Sequence, residues 1–566
     1  MPARSATPAR HQTQMTITSD ESTRRHRMKM RDATVVIIAA GIFTAGGARA
    51  AQPDSLTTAS EVAPVRTASA ALPAAAMPVI QQSTVAASLT TLMVEGSVYS
   101  PPQLFPTYSA ALGRPITRDG ARAIANAIAD LYLRDGFVKP EVSVDDGLAP
   151  QGILRAQVHE ASINRVVIEG DGGAFRDDLE RIAAGLERAH PLRRDDIPQA
   201  LRAMRQYAGL AVSATTRRAE QRNTFDLVIK ADFSPVDGVV RMNNRGTDQV
   251  GPAFMLGQVF ANGLFGRGER LGLIFAAATD HEEYLGGGLF FEAPLGSRGM
   301  RANALLFQSR SAPNEAPVNL DDEYSRERLT LRVTQPLRQD SAFTLAASAA
   351  FEADNLAIER LSNGIREDRL RIVETSLRAT WPAGATQFSA NVQLRHGLAG
   401  LGAGLHAADL AMDPRRADFL VTLAQATAYR RFAERWSLRF DAFAQTTGYV
   451  LPDSERFKIG GDRLGRGFEV AEIAGDRGVG GKLELRRDLA NTGSMVGRLS
   501  TYGFYDIGAA WKQDRPGRES AATAGLGFAM QGAALTGYFE VAAPFTGPDI
   551  EGNRSASIFA ELSYRF

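Results

Sequence analysis

A chain of 566 residues with no cysteine and a net charge of +1 is longer than a typical single domain, and it excludes both a disulfide framework and a Cys-based zinc site. Basic (64) and acidic (63) residues nearly balance, so no polybasic field points to nucleic acid. Mean hydropathy is −0.17, which argues against a bundle of membrane helices but suits a β-barrel, where only every second strand residue has to be apolar.

The N-terminus reads as an address. Arg24, Arg25, Arg27, Lys29 and Arg31 precede a short apolar run, Thr34 to Phe43, and Ala48-Arg49-Ala50 supplies an A-x-A cleavage site. The run is about ten residues against the roughly 20 that a spanning helix needs. Residues 1–50 are therefore predicted to be a removed secretory signal, with a retained anchor as the alternative and Met28 or Met30 as a candidate true start. Residues 51–88 are rich in Ala, Thr, Ser and Pro and are predicted to be a flexible linker, with a short helix near Ala68–Ala76.

Two similar units follow, 89–160 and 161–236. The first is predicted as a strand near Leu92–Glu95, helices near Pro102–Leu112 and Thr117–Arg134, and strands near Val138–Val144 and Gly152–His159. Thr117 is placed to cap the second helix, whose stripe is Ala121, Ile124, Ile128, Leu131 and Tyr132. The second repeats the order with strand Ile163–Glu169, helices Phe175–Glu187 and Arg193–Ala208, and strands Leu210–Arg217 and Thr224–Ala231. A β-α-α-β-β unit of roughly 70 residues, repeated, is a small α+β module that serves as a spacer or binding unit.

From Asp237 to Phe566 helical periodicity gives way to alternation, as in Leu329–Thr334, Phe388–Arg395 and Trp436–Asp441. Charges on one face of so many strands fit a barrel with lipid outside and a watery lumen. About 16 antiparallel strands can be placed, an even number as expected of outer-membrane barrels. They start near Val239, Ala253, Glu269, Tyr284, Met300, Tyr324, Ser341 and Asp368, then Gln387, Asp418, Trp436, Gly480, Gly497, Ala522, Leu535 and Ser557. Short connections alternate with long ones near Ser311–Asp322, Asp354–Glu367, Gly397–Arg416, Gly448–Gly478 and Pro544–Arg554. In the last strand Ile558, Ala560, Leu562, Tyr564 and Phe566 share one face, and Tyr564 and Phe566 are expected at the lipid interface as part of the strand that guides barrel insertion.

The longest loop, 448–478, is glycine-rich around Gly460, Gly461, Gly465 and Gly467. If it folds into the lumen, Arg466 needs an acidic partner. Asp506 is the best candidate, because it shares the lumen-facing parity of Arg498, Ser500, Tyr502 and Phe504. On spacing alone the plainer reading stays open, with Arg466 solvated and Asp506 one lumen charge among many.

Arg466-Gly467-Phe468 resembles the R-G-F/Y loop motif of the POTRA-plus-barrel superfamily of outer-membrane assembly and translocation proteins. Phe504-Tyr505-Asp506-Ile507-Gly508 is similar to its F-x-D-x-G strand motif. Gly475-Asp476-Arg477-Gly478 with Leu483-Glu484-Leu485 resembles the stretch after the loop motif. The two modules resemble paired POTRA domains, and the whole resembles the TpsB transporters of two-partner (type V) secretion, the ShlB/FhaC/HecB group. Asn243-Asn244-Arg245-Gly246 with Gly251 also resembles that group. Gly465 departs from it, standing where the group usually has Val, which implies a more flexible loop apex. An N-terminal plug helix has no clear counterpart.

The resemblance implies a membrane β-barrel preceded by two periplasmic POTRA domains, sited in the cell outer membrane. It implies a translocation pore for an unfolded, large, haemolysin- or adhesin-like β-helical partner, with activation of that partner as a further expectation. Capture would be by β-augmentation at an exposed sheet edge or in a groove beside it, with folding outside as the energy source. Arg466, Gly467, Phe468 and Asp506 would latch the loop, supported by Gly460, Gly461, Gly475, Asp476, Gly478, Glu484, Phe504 and Gly508. Outer-membrane lipid and the barrel assembly machinery would be the other partners; no cofactor, metal or enzyme activity is expected. The alternatives are an assembly factor of the BamA/TamA type, which generally has more such modules, and a plain porin, which has no use for them. His281-Glu282-Glu283 reads as an exposed loop, and Asp321–Arg328 as a solvated loop end. Gly263, Gly266 and Gly268 read as a periplasmic turn rather than a phosphate loop.

Overall fold

The computed structural model describes residues 87–566 except 248–249, 297, 314–321, 341, 361–362, 409–412, 492–496 and 548–554. The expected signal, all but the end of the linker, the helix near Ala68–Ala76 and most of the Ser311–Asp322 loop lie outside the described residues.

The first module comprises β1 (Thr91–Glu95), α1 (Pro101–Tyr108), α2 (Arg118–Arg134), β2 (Glu141–Asp145) and β3 (Ile153–His159). Thr117 caps α2, its Oγ1 accepting from the Gly120 amide at 3.0 Å. The helix turns Ile124, Ile128 and Tyr132 onto Val142, Val144, Leu154 and Val158 of the sheet. The second module repeats this with β4 (Ser162–Asp171), α3 (Arg176–Glu187), α4 (Asp196–Met204), β5 (Leu210–Arg218) and β6 (Thr224–Phe233). The sheet orders are β1-β3-β2 and β4-β6-β5. In each the first strand lies parallel to the last, and the second pairs antiparallel with it.

The modules are stitched by Val138 N to Leu192 O (2.9 Å) and Arg194 N to Gly136 O (3.0 Å). The second module is tied to the barrel by Asn262 Nδ2 to Ser234 O (3.0 Å) and Arg301 Nη1 to Gln206 O (2.5 Å). The turn carrying Gly263 lies against it, and a Cβ at Gly263 would meet the Phe175 ring at 2.7 Å.

The rest is a closed barrel. Its strands begin with β7 (Val236–Asn243), β8 (Phe254–Asn262), β9 (Arg270–Ala278), β10 (Leu285–Leu295), β11 (Met300–Ser311) and β12 (Asp322–Gln339). They continue with β13 (Thr344–Arg360), β14 (Asn363–Ala383), β15 (Thr386–Gly397), the short β16 (Gly404–Ala407), β17 (Leu420–Ala433) and β18 (Trp436–Thr447). After a small hairpin, β19 (Phe457–Ile459) and β20 (Ile473–Gly475), come β21 (Arg477–Asn491), β22 (Arg498–Trp511), β23 (Glu519–Gln531), β24 (Leu535–Thr546) and β25 (Ser557–Arg565). Among the described residues sixteen long strands form the wall, β16 pairs antiparallel with β14 beyond the end of β15, and β25 closes onto β7. Leu273, Leu289, Leu331, Leu377, Tyr505, Leu526 and Leu562 are exposed on the outside, the side that faces hydrocarbon in such a wall.

Two expectations fail here. The connection expected over Asp354–Glu367 is mostly strand, since the β13–β14 ladder runs out to Arg360↔Asn363. Asp321–Arg328 is likewise no solvated loop end: β12 starts at Asp322, and Arg326 and Arg328 are buried against Asp354. Charge density read as solvent exposure is instead charge pairing between neighbouring strands.

Candidate functional site: the inward loop and its seat

Between β18 and β21 the chain turns inward. The β19–β20 hairpin pairs Phe457↔Gly475 and Ile459↔Ile473. It buries Ile459, Leu464, Phe468 and Ile473 with Phe443, Ala510 and Ala521 of the wall. The apex is a tight backbone knot, Gly460 N to Leu464 O at 2.8 Å and Gly461 N to Phe468 O at 3.1 Å. Glycine is obligatory at Gly460, where φ is +119° and a Cβ would lie 1.8 Å from Glu469 O. Gly461 sits opposite Val470 in the same knot.

Arg466 stands at the centre and is buried at 4% exposure. Its Nε donates to Asp506 Oδ2 at 3.0 Å and its Nη2 to Asp506 Oδ1 at 2.9 Å, a bidentate fork. Its own amide and that of Gly465 add bonds to Asp506 Oδ2 at 3.2 Å. Nη1 reaches Glu484 Oε2 at 3.2 Å. The guanidinium lies 3.5 Å from the centre of the Phe504 ring, a cation–π contact that counts for more when desolvated. Arg466, Glu484, Phe504 and Asp506 thus converge on one point, and the solvated reading of Arg466 is excluded.

The other motif residues make room for this. A side chain at Gly467 would meet Thr523 Oγ1 at 2.6 Å, and one at Gly508 would meet Ile459 Cδ1 at 2.9 Å. Gly475 lies against the Trp511 backbone, and Gly478 lies under the Phe457 ring. Phe468 fills the space beside Gly547. Asp476 is fully buried; it accepts from the Leu451 amide at 2.8 Å and the Gln513 amide at 2.7 Å, and so holds the root of the loop rather than its apex. Gly465 corrects the expectation of a loose apex. With φ at +86° and Ile459 Cγ2 only 2.9 Å from where a Cβ would sit, it is where this backbone needs glycine.

Sequence reasoning missed a second anchorage, on strands β14 and β15 of the wall. Arg395 of β15 grips Glu455 with bonds of 2.8 and 2.9 Å, and it also binds Glu374 at 2.7 Å. Arg366 of β14 holds Asp453 at 2.7 Å. The available signal was parity: Arg395 lies in an alternating strand, and each buried cation of a lumen calls for an anion. Glu540, which meets Arg245 and the Tyr502 hydroxyl, was missed as well.

At the chain's end Tyr564 and Phe566 stack at 6.2 Å and are half exposed. Phe566 exchanges backbone hydrogen bonds with Gly238 at 3.0 and 3.1 Å, so the terminal residue helps close the barrel.

A sixteen-stranded barrel with a tethered inward loop, preceded by two POTRA-like modules, defines the class of outer-membrane β-barrel transporters. Residues 226–530, more than half of the chain, match the model of the haemolysin secretion/activation protein family ShlB/FhaC/HecB, and the chain belongs to that family of two-partner secretion transporters. Among solved structures it is similar to CdiB from Escherichia coli, with a TM-score of 0.69 and 16% identity over 88% of this chain and 93% of that one. It is also similar to CdiB from Acinetobacter baumannii, with a TM-score of 0.59 and 14% identity over 86% of this chain and 91% of that one. At such identities the likeness is one of fold. No curated protein matches the sequence.

Proposed function

We propose that this chain exports a large, unfolded partner protein across the outer membrane, receiving it in the periplasm on residues 89–236 and passing it through the barrel as the loop of residues 448–478 leaves its seat. The observation that carries the reading is the buried, bidentate Arg466–Asp506 pair, which fastens the apex of a long loop to the wall. Leaving one member of a buried pair without its partner costs about 3–5 kcal/mol, a cost that favours the seated loop in an idle lumen. The free edges of the two module sheets, β1 and β2, β4 and β5, offer backbone groups that an extended chain can pair with. A haemolysin- or adhesin-like β-helical protein suits such a route, since it can fold progressively as it emerges. Arg466, Gly467, Phe468 and Asp506 act as the latch in this scheme, and Tyr564 and Phe566 guide insertion by the barrel assembly machinery.

The test is to delete the gene and complement it with wild type or Arg466→Ala, then compare culture-supernatant and outer-membrane proteins. Loss of one very large secreted protein, with the membrane profile intact and with poor rescue by Arg466→Ala at normal barrel levels, is the expected result. A broad fall in many barrel proteins would instead identify an assembly factor. Full rescue by Arg466→Ala would remove the latch.

A further inference from the structure

The barrel closes by a short seam. β25 and β7 pair from Glu561↔Asn243 to Arg565↔Val239, whereas β7 and β8 pair along the whole of β7, from Val236↔Ala261 to Asn243↔Phe254. Past these pairs the Asn244 amide still donates to Ala560 O at 3.3 Å, and side chains add to the backbone contact. Asn244 stands in for a ladder residue, accepting from Ala560 N at 2.7 Å and donating to Ile558 O at 2.9 Å. Arg245 crosses β25 with its guanidinium 4.1 Å from the Phe559 ring centre. It then donates to the Tyr538 hydroxyl at 2.7 Å and pairs with Glu540 on β24.

Glu540 is 2% exposed. Its second oxygen accepts from the Tyr502 hydroxyl at 2.8 Å and lies 3.8 Å from Arg466 Nη1, the loop apex. One buried carboxylate therefore stands between the cation that clasps the seam and the cation that seats the loop.

We propose that Glu540 is a positioning residue that couples the two, so that release of the loop tightens the seam. The argument is competition. A buried carboxylate must be balanced by nearby cations, and here two arginines share it. When the loop leaves, Arg466 goes with it and the whole attraction of Glu540 falls on Arg245. When the seam loosens and Arg245 withdraws, Glu540 holds Arg466 more firmly. The open lumen and the open seam thus oppose one another, which keeps a barrel with an empty lumen from splitting sideways. By linkage the effect is reciprocal.

Amide hydrogen exchange on the full-length barrel in detergent or nanodiscs tests this, with heat-modifiable gel mobility reporting that each variant is folded. Arg466→Ala is expected to slow exchange in residues 239–244 and 560–565 by about three- to tenfold, and Arg245→Ala to slow it in residues 460–468 by a similar factor, the size of coupling usual between neighbouring groups. In Glu540→Gln the first effect is expected to vanish. A seam that exchanges at the wild-type rate or faster in Arg466→Ala overturns the proposal, and so does slowing that persists in Glu540→Gln. Should Glu540→Gln fail to assemble, the double-variant cycle of Arg245→Ala and Arg466→Ala reads the same coupling, and additive effects would refute it. None of these readouts depends on export of a partner, so they stand apart from the secretion reading.

Discussion

At Gly465 the family resemblance and the structure pull in opposite directions. The group's usual valine suggests that glycine loosens the apex, but this backbone bends through φ +86° there and uses the amide to reach Asp506. A β-branched residue in that region costs about 1–3 kcal/mol. Gly465→Val is therefore expected to unseat the apex partially, read as faster trypsin cleavage within residues 460–468 in outer-membrane fractions. Cleavage at the wild-type rate would show that the loop relaxes around the new side chain. Arg466 illustrates a related point: its bidentate geometry, not its charge alone, fixes the loop, since the fork engages both oxygens of Asp506 while Nη1 remains free for Glu484.

The elements divide by how local their causes are. Helix α2 is written almost wholly in its own residues: the Thr117 cap, a 3.6-residue stripe, and Asp135 with Gly136 to end it. Thr117→Ala is expected to cost about 1 kcal/mol, measured as faster exchange of the Gly120 amide with the barrel unaffected. Unchanged protection there would mean that packing against the sheet, not the cap, holds the helix end. The long strands β12–β14 behave otherwise. Their outer portions carry Arg326, Arg328, Asp354, Arg360 and Arg366, which look like loop chemistry in one dimension. They extend as strands because partners across the ladder, such as Arg360 with Asp322 at 2.6 Å, neutralise them in register.

On the scale of the whole molecule, the last residue takes part in closing the barrel. Phe566 pairs its backbone with Gly238, and its ring occupies the space that a Cβ at Gly238 would need, at 2.5 Å. Truncation of Phe566 is expected to lower the amount of folded barrel in the outer membrane several-fold, assayed by heat-modifiable mobility, while the protein is still made. Normal barrel levels would show that the rest of the seam suffices. The modules are not free appendages either, since Arg301 and Asn262 bind the second module to the turns of the barrel.

The sequence alone determined the class of the fold. Strand alternation records which side of the wall meets lipid, and the repeated β-α-α-β-β order records two small cores; both are local patterns with short periods. Strand starts at Met300, Trp436, Leu535 and Ser557 were legible for that reason. The pairing of Arg466 with Asp506 could be nominated from parity, but it could not be chosen over a solvated arginine. Which charges meet was decided by the tertiary structure. Arg395 with Glu455, and Glu540 between Arg245 and Arg466, join positions far apart in the chain. No local period encodes such a meeting: it exists because barrel closure and the inward loop bring distant strands to one lumen, where a buried charge must find its counterpart.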